Sequence, residues 1–365
     1  MQPIRPSTGI TRGTTIPSLA LVPCPLCGSE RNFLPLRVPG GDIHIGKYGN
    51  LYAGVSLSEW KACARCGFVH QNPRPSLEAL SEFYAQGRYH PPEIPGGVSG
   101  YLDFANWYYG EKVDYALAKS GSSGARVFEV GCGLGGALRL FADRGCESVG
   151  VEPDPAQARF ASEVLKLGGV RQGLVDDSFQ LDVKVDLVFS NHAFEHLADL
   201  DSVMRAVTRI LKPGGHIFTA VPTYFSNRSR LSKLWMNSAH YSLFTHQSLN
   251  QLFARYGIEE VCHTYRGWHK EIDDLWHIGR FRGSASDAAA FFEDARAVRR
   301  YVNVYNPLRS IAYAPFYAGY AKRVVFLTRY AGLAKSYWEL FRRSPSTFVG
   351  KAGRRCLRAV QGLLK

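Results

Sequence analysis

The stretch Val127-Phe128-Glu129-Val130-Gly131-Cys132-Gly133-Leu134-Gly135-Gly136 restricts the fold of this chain more than any other. It is an apolar run that enters a glycine-rich turn and then a helical pattern beginning near Ala137. Without a Cβ, Gly131 and Gly133 allow the backbone to turn at positive φ and to approach a ligand closely. Gly135 or Gly136 lets the next helix sit against its strand. A second apolar run ends at Glu152, about twenty residues on, where a carboxylate can accept from both hydroxyls of a ribose. A lone glycine turn would fit a purely structural strand-to-helix junction equally well. The preceding strand, the following helix and the acid favour a nucleoside site.

The alternation continues along the chain. Helix Ala137–Arg144, strand Ser148–Glu152, helix Pro155–Leu167, strand Val185–Ser190, helix Leu200–Leu211 and strand His216–Val221 form a βαβ series. The series implies an α/β, Rossmann-like, doubly wound and mostly parallel sheet with helices on both faces. Thr245 can cap a helix to Tyr256, and Ile258–Tyr265 reads as a further strand, with no obvious antiparallel strand after it. A dinucleotide pyrophosphate would be repelled by Glu129, two residues before the first glycine. An amino group or a sulfonium would be attracted, so the ligand expected is cationic.

Four motifs carry a family resemblance: Glu129-Val-Gly-Cys-Gly-Leu-Gly-Gly, Val149-Gly-Val-Glu152-Pro-Asp, Val185-Asp-Leu-Val-Phe-Ser-Asn191-His-Ala-Phe-Glu195-His196 and Leu211-Lys-Pro-Gly-Gly215. Together, over about residues 124–265, they resemble the class I S-adenosylmethionine-dependent methyltransferases. The resemblance implies that Glu129, Gly131 and Gly133 hold the methionine end of S-adenosylmethionine, that Glu152 holds the ribose, and that Gly135 and Asn191 belong to the cofactor site. It places Asp176, with Asp177, near the adenine amino group. Leu174 stands where relatives carry Asp, and a solvated acidic loop is the alternative for this pair.

Methyl transfer is an in-line displacement that requires a placed nucleophile and exclusion of water. An alcohol or carbon acid acceptor also needs a base, and histidine is suited to that near neutral pH. His192, Glu195 and His196, after the fourth strand, are candidates, as are His240 and Tyr241 after the fifth. Capping or anchoring of the loop is the competing role for each, and His246 at a helix start reads as structural.

Cys24-Pro-Leu-Cys27-Gly and Cys63-Ala-Arg-Cys66-Gly are paired C-x-x-C knuckles, each followed by glycine. This spacing suits four-thiolate coordination of structural zinc, leaving no open position for catalysis. Disulfides or a redox pair are the alternative. The expected order is a flexible leader (1–22), a zinc ribbon (23–75), a helical linker or lid (76–123), the methyltransferase core (124–265) and a basic aromatic extension (266–365). Leu51–Trp60 suits short strands, and Ser76 can cap a helix through Ala85. Trp107, Tyr108 and Tyr109 suit either core packing or a lid.

Charge is concentrated at one end. Residues 307–365 hold twelve Lys or Arg against one acid, Glu339, a net +11 of the chain's +13. Tyr313, Phe316, Tyr320 and Trp338 are interleaved with those cations, which suits either an anionic membrane surface or a helical subdomain with solvated charges. No run approaches the ~20 apolar residues of a membrane-spanning helix. The leader lacks the sustained apolar run of a signal peptide, so a cytoplasmic location is expected, with peripheral contact at the inner membrane face.

Knuckles ahead of such a core resemble bacterial methyltransferases of polysaccharide and secondary-metabolite pathways. A sugar or glycan-type acceptor, nucleotide- or lipid-linked, is therefore implied. The rival is an RNA methyltransferase using the ribbon and basic tail on phosphate. Against it, the chain lacks an Asn-Pro-Pro-Tyr type of motif, and nucleic acid is the less favoured partner. A non-catalytic scaffold is opposed by the intact glycines and Glu152. Oligomeric state, the acceptor atom and the base are open at this level.

Overall fold

The computed structural model describes residues 19–36, 59–79, 81, 97–122, 124–223, 240–266, 274–284 and 293–303. The leader before residue 19, the strands expected over 51–58, most of the helix expected after Ser76 and the basic segment 307–365 lie outside them. The chain divides into two compact units, residues 1–92 with 104–307, and residues 93–103 with 308–365. Of the second unit only residues 97–103 are described, as the opening turns of a helix.

The first unit begins with five short strands: β1 (Leu19–Ala20), β2 (Phe33–Pro35), β3 (Trp60–Cys63), β4 (Val69–Gln71) and β5 (Arg74–Pro75). β2, β3 and β4 form an antiparallel meander, and β1 pairs with β5. Helix α1 (Gly97–Ser120) follows. One helix thus runs through the aromatic segment Trp107–Tyr109 and on to Ser120, within the helical linker expected over 76–123. Ala105, Val113 and Ala116 line its buried side at helical spacing, a pattern the interspersed aromatics obscure in sequence.

The α/β series comprises β6 (Arg126–Val130), α2 (Gly136–Asp143), β7 (Glu147–Glu152), α3 (Pro155–Arg159), β8 (Val170–Gln172), β9 (Val185–Asn191), α4 (Leu200–Ile210) and β10 (Leu211–Pro222). Asp154 caps α3 by accepting from the amides of Ala156 and Gln157 at 2.8 and 3.1 Å. After Arg159 that helix widens into a π-helical turn, Phe160–Val164. Then come β11 (Ser242–Leu243), α5 (His246–Ala254), β12 (Ile258–Arg266), β13 (Asp274–Phe281) and α6 (Ala295–Asn303).

Seven strands form one mixed sheet in the order β12-β13-β10-β9-β6-β7-β8. β6 to β10 are parallel, whereas β13 runs antiparallel between β10 and β12. The α/β doubly wound fold is thus present, with a mixed sheet that runs on past the boundary expected at 265. β13 is hard to see in sequence because it lies inside the sheet and is buried on both faces, so it lacks polar alternation, while Asp274 and His277 interrupt its apolar run.

The ribbon is built into this core. β11 pairs with β4, Ser242 opposite His70 and Leu243 opposite Val69, which makes the meander four-stranded. Cys24, Leu26, Cys63, Cys66 and Phe68 share one apolar cluster with Phe244, Leu249, Phe253 and Val188. Val298 of α6 joins Trp60, Ala62, Val69 and Leu243 in another. Part of the segment assigned to the extension therefore covers the ribbon.

Candidate active site

The strand order reverses at β6, with β7 on one side and β9 on the other, and ligands of such sheets enter at the carboxyl ends of the strands beside that point. Gly131 (φ 68°), Gly133 (φ 54°) and Gly135 (φ 82°) form the turn after β6. Gly133 donates its N–H to Glu152 Oε2 at 2.8 Å, and Asp154 donates its own to Oε1 at 2.9 Å, so the backbone fixes that carboxylate at the tip of β7. A Cβ on Gly135 would lie 2.7 Å from Leu167 Cδ1 and 2.9 Å from Ala161 Cβ. That glycine thus serves close packing of α2.

Glu129 and Glu152 are both buried. Burial, and then the charge of Glu152, pushes the Glu129 carboxyl well above the usual carboxylate range. Burial raises Glu152 to about 7, against the pull of the Asp154 and Gly133 amides. Tyr109 of α1 lies close enough for both acids to push its hydroxyl up further, after burial. Glu129 Oε2 and Asn191 Oδ1 are buried with no hydrogen-bond partner among the described residues. The site therefore presents acceptors in need of donors. Gly-turn backbone and two acids fit the ribose hydroxyls and cationic methionine end of S-adenosylmethionine.

The loop after β9 holds a second cluster. His192 adopts a left-handed backbone, φ 51°, unusual for a non-glycine residue. Its Nε2 lies 3.1 Å from Asp274 Oδ2 and its Nδ1 3.2 Å from Glu195 Oε1. Lys112 Nζ reaches the same Asp274 oxygen at 3.5 Å. Burial opposes charge on His192, yet Asp274 and then Glu195 outweigh it and hold the imidazole at about 9. Burial likewise works against Asp274, but His192 and Lys112 bring it down to about 2. Near neutral pH His192 is therefore an imidazolium between two carboxylates, which suits anchoring and charge placement more than proton abstraction.

Glu195, fully buried, also lies 3.9 Å from His196 Nε2. The His196 ring meets the edge of His240 at 4.6 Å between centroids. Tyr241 is buried and ties the loop through its backbone, donating to Glu195 O at 2.7 Å and accepting from the Gln71 amide at 2.9 Å. Glu195, His196 and His240 thus come together, while Tyr241 joins them to the ribbon. Tyr108 approaches the His192 ring at 6.4 Å and stacks against Phe104, so the aromatic turns of α1 lie over this loop.

Two acids expected at the adenine are otherwise engaged. Asp177 receives both Arg205 nitrogens, at 2.7 and 2.5 Å, and Asp176 accepts from the amide and hydroxyl of Ser178 at 2.8 and 2.6 Å. Sequence reading missed Lys112 and Asp274. A lysine in a helix has no distinguishing spacing, and Asp274 meets His192 only through the insertion of β13. The one available signal was an acid heading an apolar run.

The four knuckle cysteines converge. Cys24 Sγ lies 3.6 Å from Cys66 Sγ, Cys27 Sγ lies 3.6 Å from Cys63 Sγ, and all four sulfurs lie within 4.8 Å of one another. None of these pairs is a disulfide. A tetrahedral ion with bonds of about 2.3 Å separates its sulfurs by roughly 3.8 Å, so the set fits zinc. Gly28 (φ 69°) and Gly67 (φ 77°) supply the turns, donating to Cys24 O and Cys63 O at 2.8 Å.

A mixed sheet with a glycine turn and two buried acids at its switch point defines a Rossmann-like α/β fold. More particularly, residues 101–263 match the family described as methyltransferase domain. The 2-methyl-6-phytyl-1,4-hydroquinone methyltransferase of Synechocystis is 32% identical over 139 residues, 36% of this chain and 41% of that protein. The ubiquinone biosynthesis O-methyltransferase of Yersinia pestis is 31% identical over 131 residues, 34% of this chain and 52% of that one. The chain thus spans about half or less of the length of these relatives. A crystal structure of an S-adenosylmethionine-dependent methyltransferase from Mesorhizobium loti aligns with 49% of this chain and 99% of its own, at 17% identity and a TM-score of 0.41.

Proposed function

We propose that this chain transfers a methyl group from S-adenosylmethionine to a hydroxyl or acidic carbon of a sugar or glycan-type acceptor, nucleotide- or lipid-linked, in polysaccharide or secondary-metabolite biosynthesis. The observation that carries the transferase reading is the buried pair Glu129 and Glu152 beside Asn191, a lining of acceptors that calls for a cationic, donor-rich ligand. Bound S-adenosylmethionine supplies an electrophilic methyl group. Glu152 would hold the ribose, Glu129 would face the methionine end, and the turn at Gly131 and Gly133 would let backbone approach both. With S-adenosylmethionine bound, His196, steered by Glu195 and His240, would take the acceptor's proton, leaving the acceptor free to receive the methyl group that the sulfonium would release. The His192 imidazolium and the Lys112 ammonium together balance the charges of Glu195 and Asp274. Cys24, Cys27, Cys63 and Cys66 carry structural zinc.

One of these relatives is a hydroquinone methyltransferase and the other belongs to ubiquinone biosynthesis, which supports a small organic acceptor over RNA. The sugar class rests on the resemblance of the module order, ribbon before core. A lipid-linked acceptor would give residues 307–365 a membrane-facing role. Transfer of labelled methyl from S-adenosylmethionine to a panel of sugar nucleotides, prenylated hydroquinones and RNA tests the reading. Label in the sugars supports it, while label confined to RNA or to the quinols replaces the acceptor class. Failure to bind S-adenosylmethionine or its demethylated product in calorimetry removes the transferase itself. His196→Ala should lower kcat by roughly 10²–10⁴-fold with unchanged cofactor affinity.

A further inference from the structure

Away from the cofactor edge, three elements bring histidines together around one acid. His246 is the first residue of α5, Glu260 and His263 lie on β12, and His277 lies on β13 directly opposite His263. Glu260 Oε2 lies 2.6 Å from His246 Nε2, and its other oxygen lies 2.6 Å from His263 Nδ1. One donor atom from each of the three residues falls within 4.8 Å of the others. The side chains of His246, Glu260 and His263 are 21, 22 and 33% exposed, so the cluster is open to solvent on one side.

Behind it His277 is fully buried, and neither ring nitrogen has a hydrogen-bond partner among the described residues. Its Nε2 points at Glu260 Oε2 from 3.9 Å. A buried imidazole left in this state costs free energy unless something orders the carboxylate beside it. A simple hydrogen-bonded triad would account for His246, Glu260 and His263, but it leaves His277 without a use.

We propose that His246, Glu260 and His263 form a second metal centre, for a divalent d-block cation such as Zn2+, Co2+ or Ni2+, with His277 as the buried group that orients Glu260. Two imidazoles and one carboxylate are a donor set those ions favour, and the solvent side leaves room for water. An outer group that fixes a ligating carboxylate is usual at such sites. The ion would clip the start of α5 to the sheet edge. At its far end α5 is followed by Arg255, which donates to Leu26 O at 2.8 Å, so one helix would connect the two metal centres.

The test uses the full chain, zinc-loaded and dialysed, titrated with Co2+ and followed by absorption. A four-thiolate site gives an intense near-ultraviolet sulfur-to-cobalt band, whereas imidazole and carboxylate ligands give only weak visible bands. The expected result is one further equivalent showing the weak visible bands alone, lost in His263→Ala and in Glu260→Gln. It should be retained in His196→Ala, which disables the other mixed cluster, Glu195, His196 and His240. His277→Phe should weaken cobalt binding at least tenfold without abolishing it. Thermal melts of the metal-free variants check that each is folded. No further equivalent in the wild type, or one that survives in folded His263→Ala, overturns the proposal. Loss in His196→Ala alone would move the ion to the other cluster and overturn it as well.

Discussion

Glu152 shows how one residue links cofactor affinity to pH. Its carboxyl is raised to about 7, and a cationic nucleoside with ribose donors prefers the ionised form. Affinity for S-adenosylmethionine should therefore rise as pH passes upward through about 7, with a proton released on binding. Calorimetry in two buffers of different ionisation enthalpy measures this, and a flat affinity from pH 6 to 8 would contradict it. Glu152→Gln should weaken binding by about 10- to 100-fold, the worth of a hydrogen bond to a charged group. The pair of His192 and Asp274 acts on folding stability instead, and its two members depend on pH in opposite senses. With the imidazole raised to about 9 from 6.5, its stabilisation is complete below 6.5 and fades as pH rises through 9; with Asp274 lowered to about 2 from 3.8, that carboxylate's share fades as pH falls through 2. Asp274→Asn should cost about 3–5 kcal/mol in urea unfolding at pH 7, because it leaves buried cations uncompensated. A loss below 1 kcal/mol would show that the pair is not load-sharing. Glu152 was legible in the sequence because spacing from a glycine turn announces it. Asp274 was not, since only the folded sheet brings it to His192.

Elements differ in the same way. The parallel strands and their helices could be read from apolar runs and caps, because each strand and helix of a βαβ unit has a local signature. α1 and β13 could not, one because aromatics masked its period and the other because a central antiparallel strand buries both faces. β11 is only two residues long, and its partner β4 lies far away in sequence, so no local pattern reveals it. The turn between β6 and α2 carries a sharp element-level prediction. Gly135→Ala places a methyl against Leu167 and Ala161 at φ 82°, so it should lower stability by about 1–3 kcal/mol while sparing the acids. An unchanged melting temperature would mean that α2 can part from the Phe160–Val164 turn and Leu167 without cost.

For the whole molecule, the ribbon cannot be treated as a detachable module. Its cysteines belong to the same apolar cluster as the sheet, and α6 covers its outer side. Chelation of zinc, or Cys63→Ser, should therefore lower the melting temperature of the entire first unit in a single transition. Two separate transitions, with the upper one unmoved, would show an independent core. No helix among the described residues is long and apolar enough to cross a membrane. If residues 307–365 contact anionic lipid, vesicles with phosphatidylserine should sediment the full chain more than one ending at 306, and equal sedimentation would remove that role.

The pairing of β11 with β4 also sets an order of events during synthesis. Four thiols can gather a metal as soon as Cys66 has emerged, but the outer edge of β4 stays unpaired until Ser242 and Leu243 follow, nearly half the chain later. Over that interval the growing polypeptide carries an open strand edge with Val69 beside it, a template for pairing with other chains. A ribosome stalled between those points would release a species prone to clump, and a chaperone that shields strand edges would matter most there.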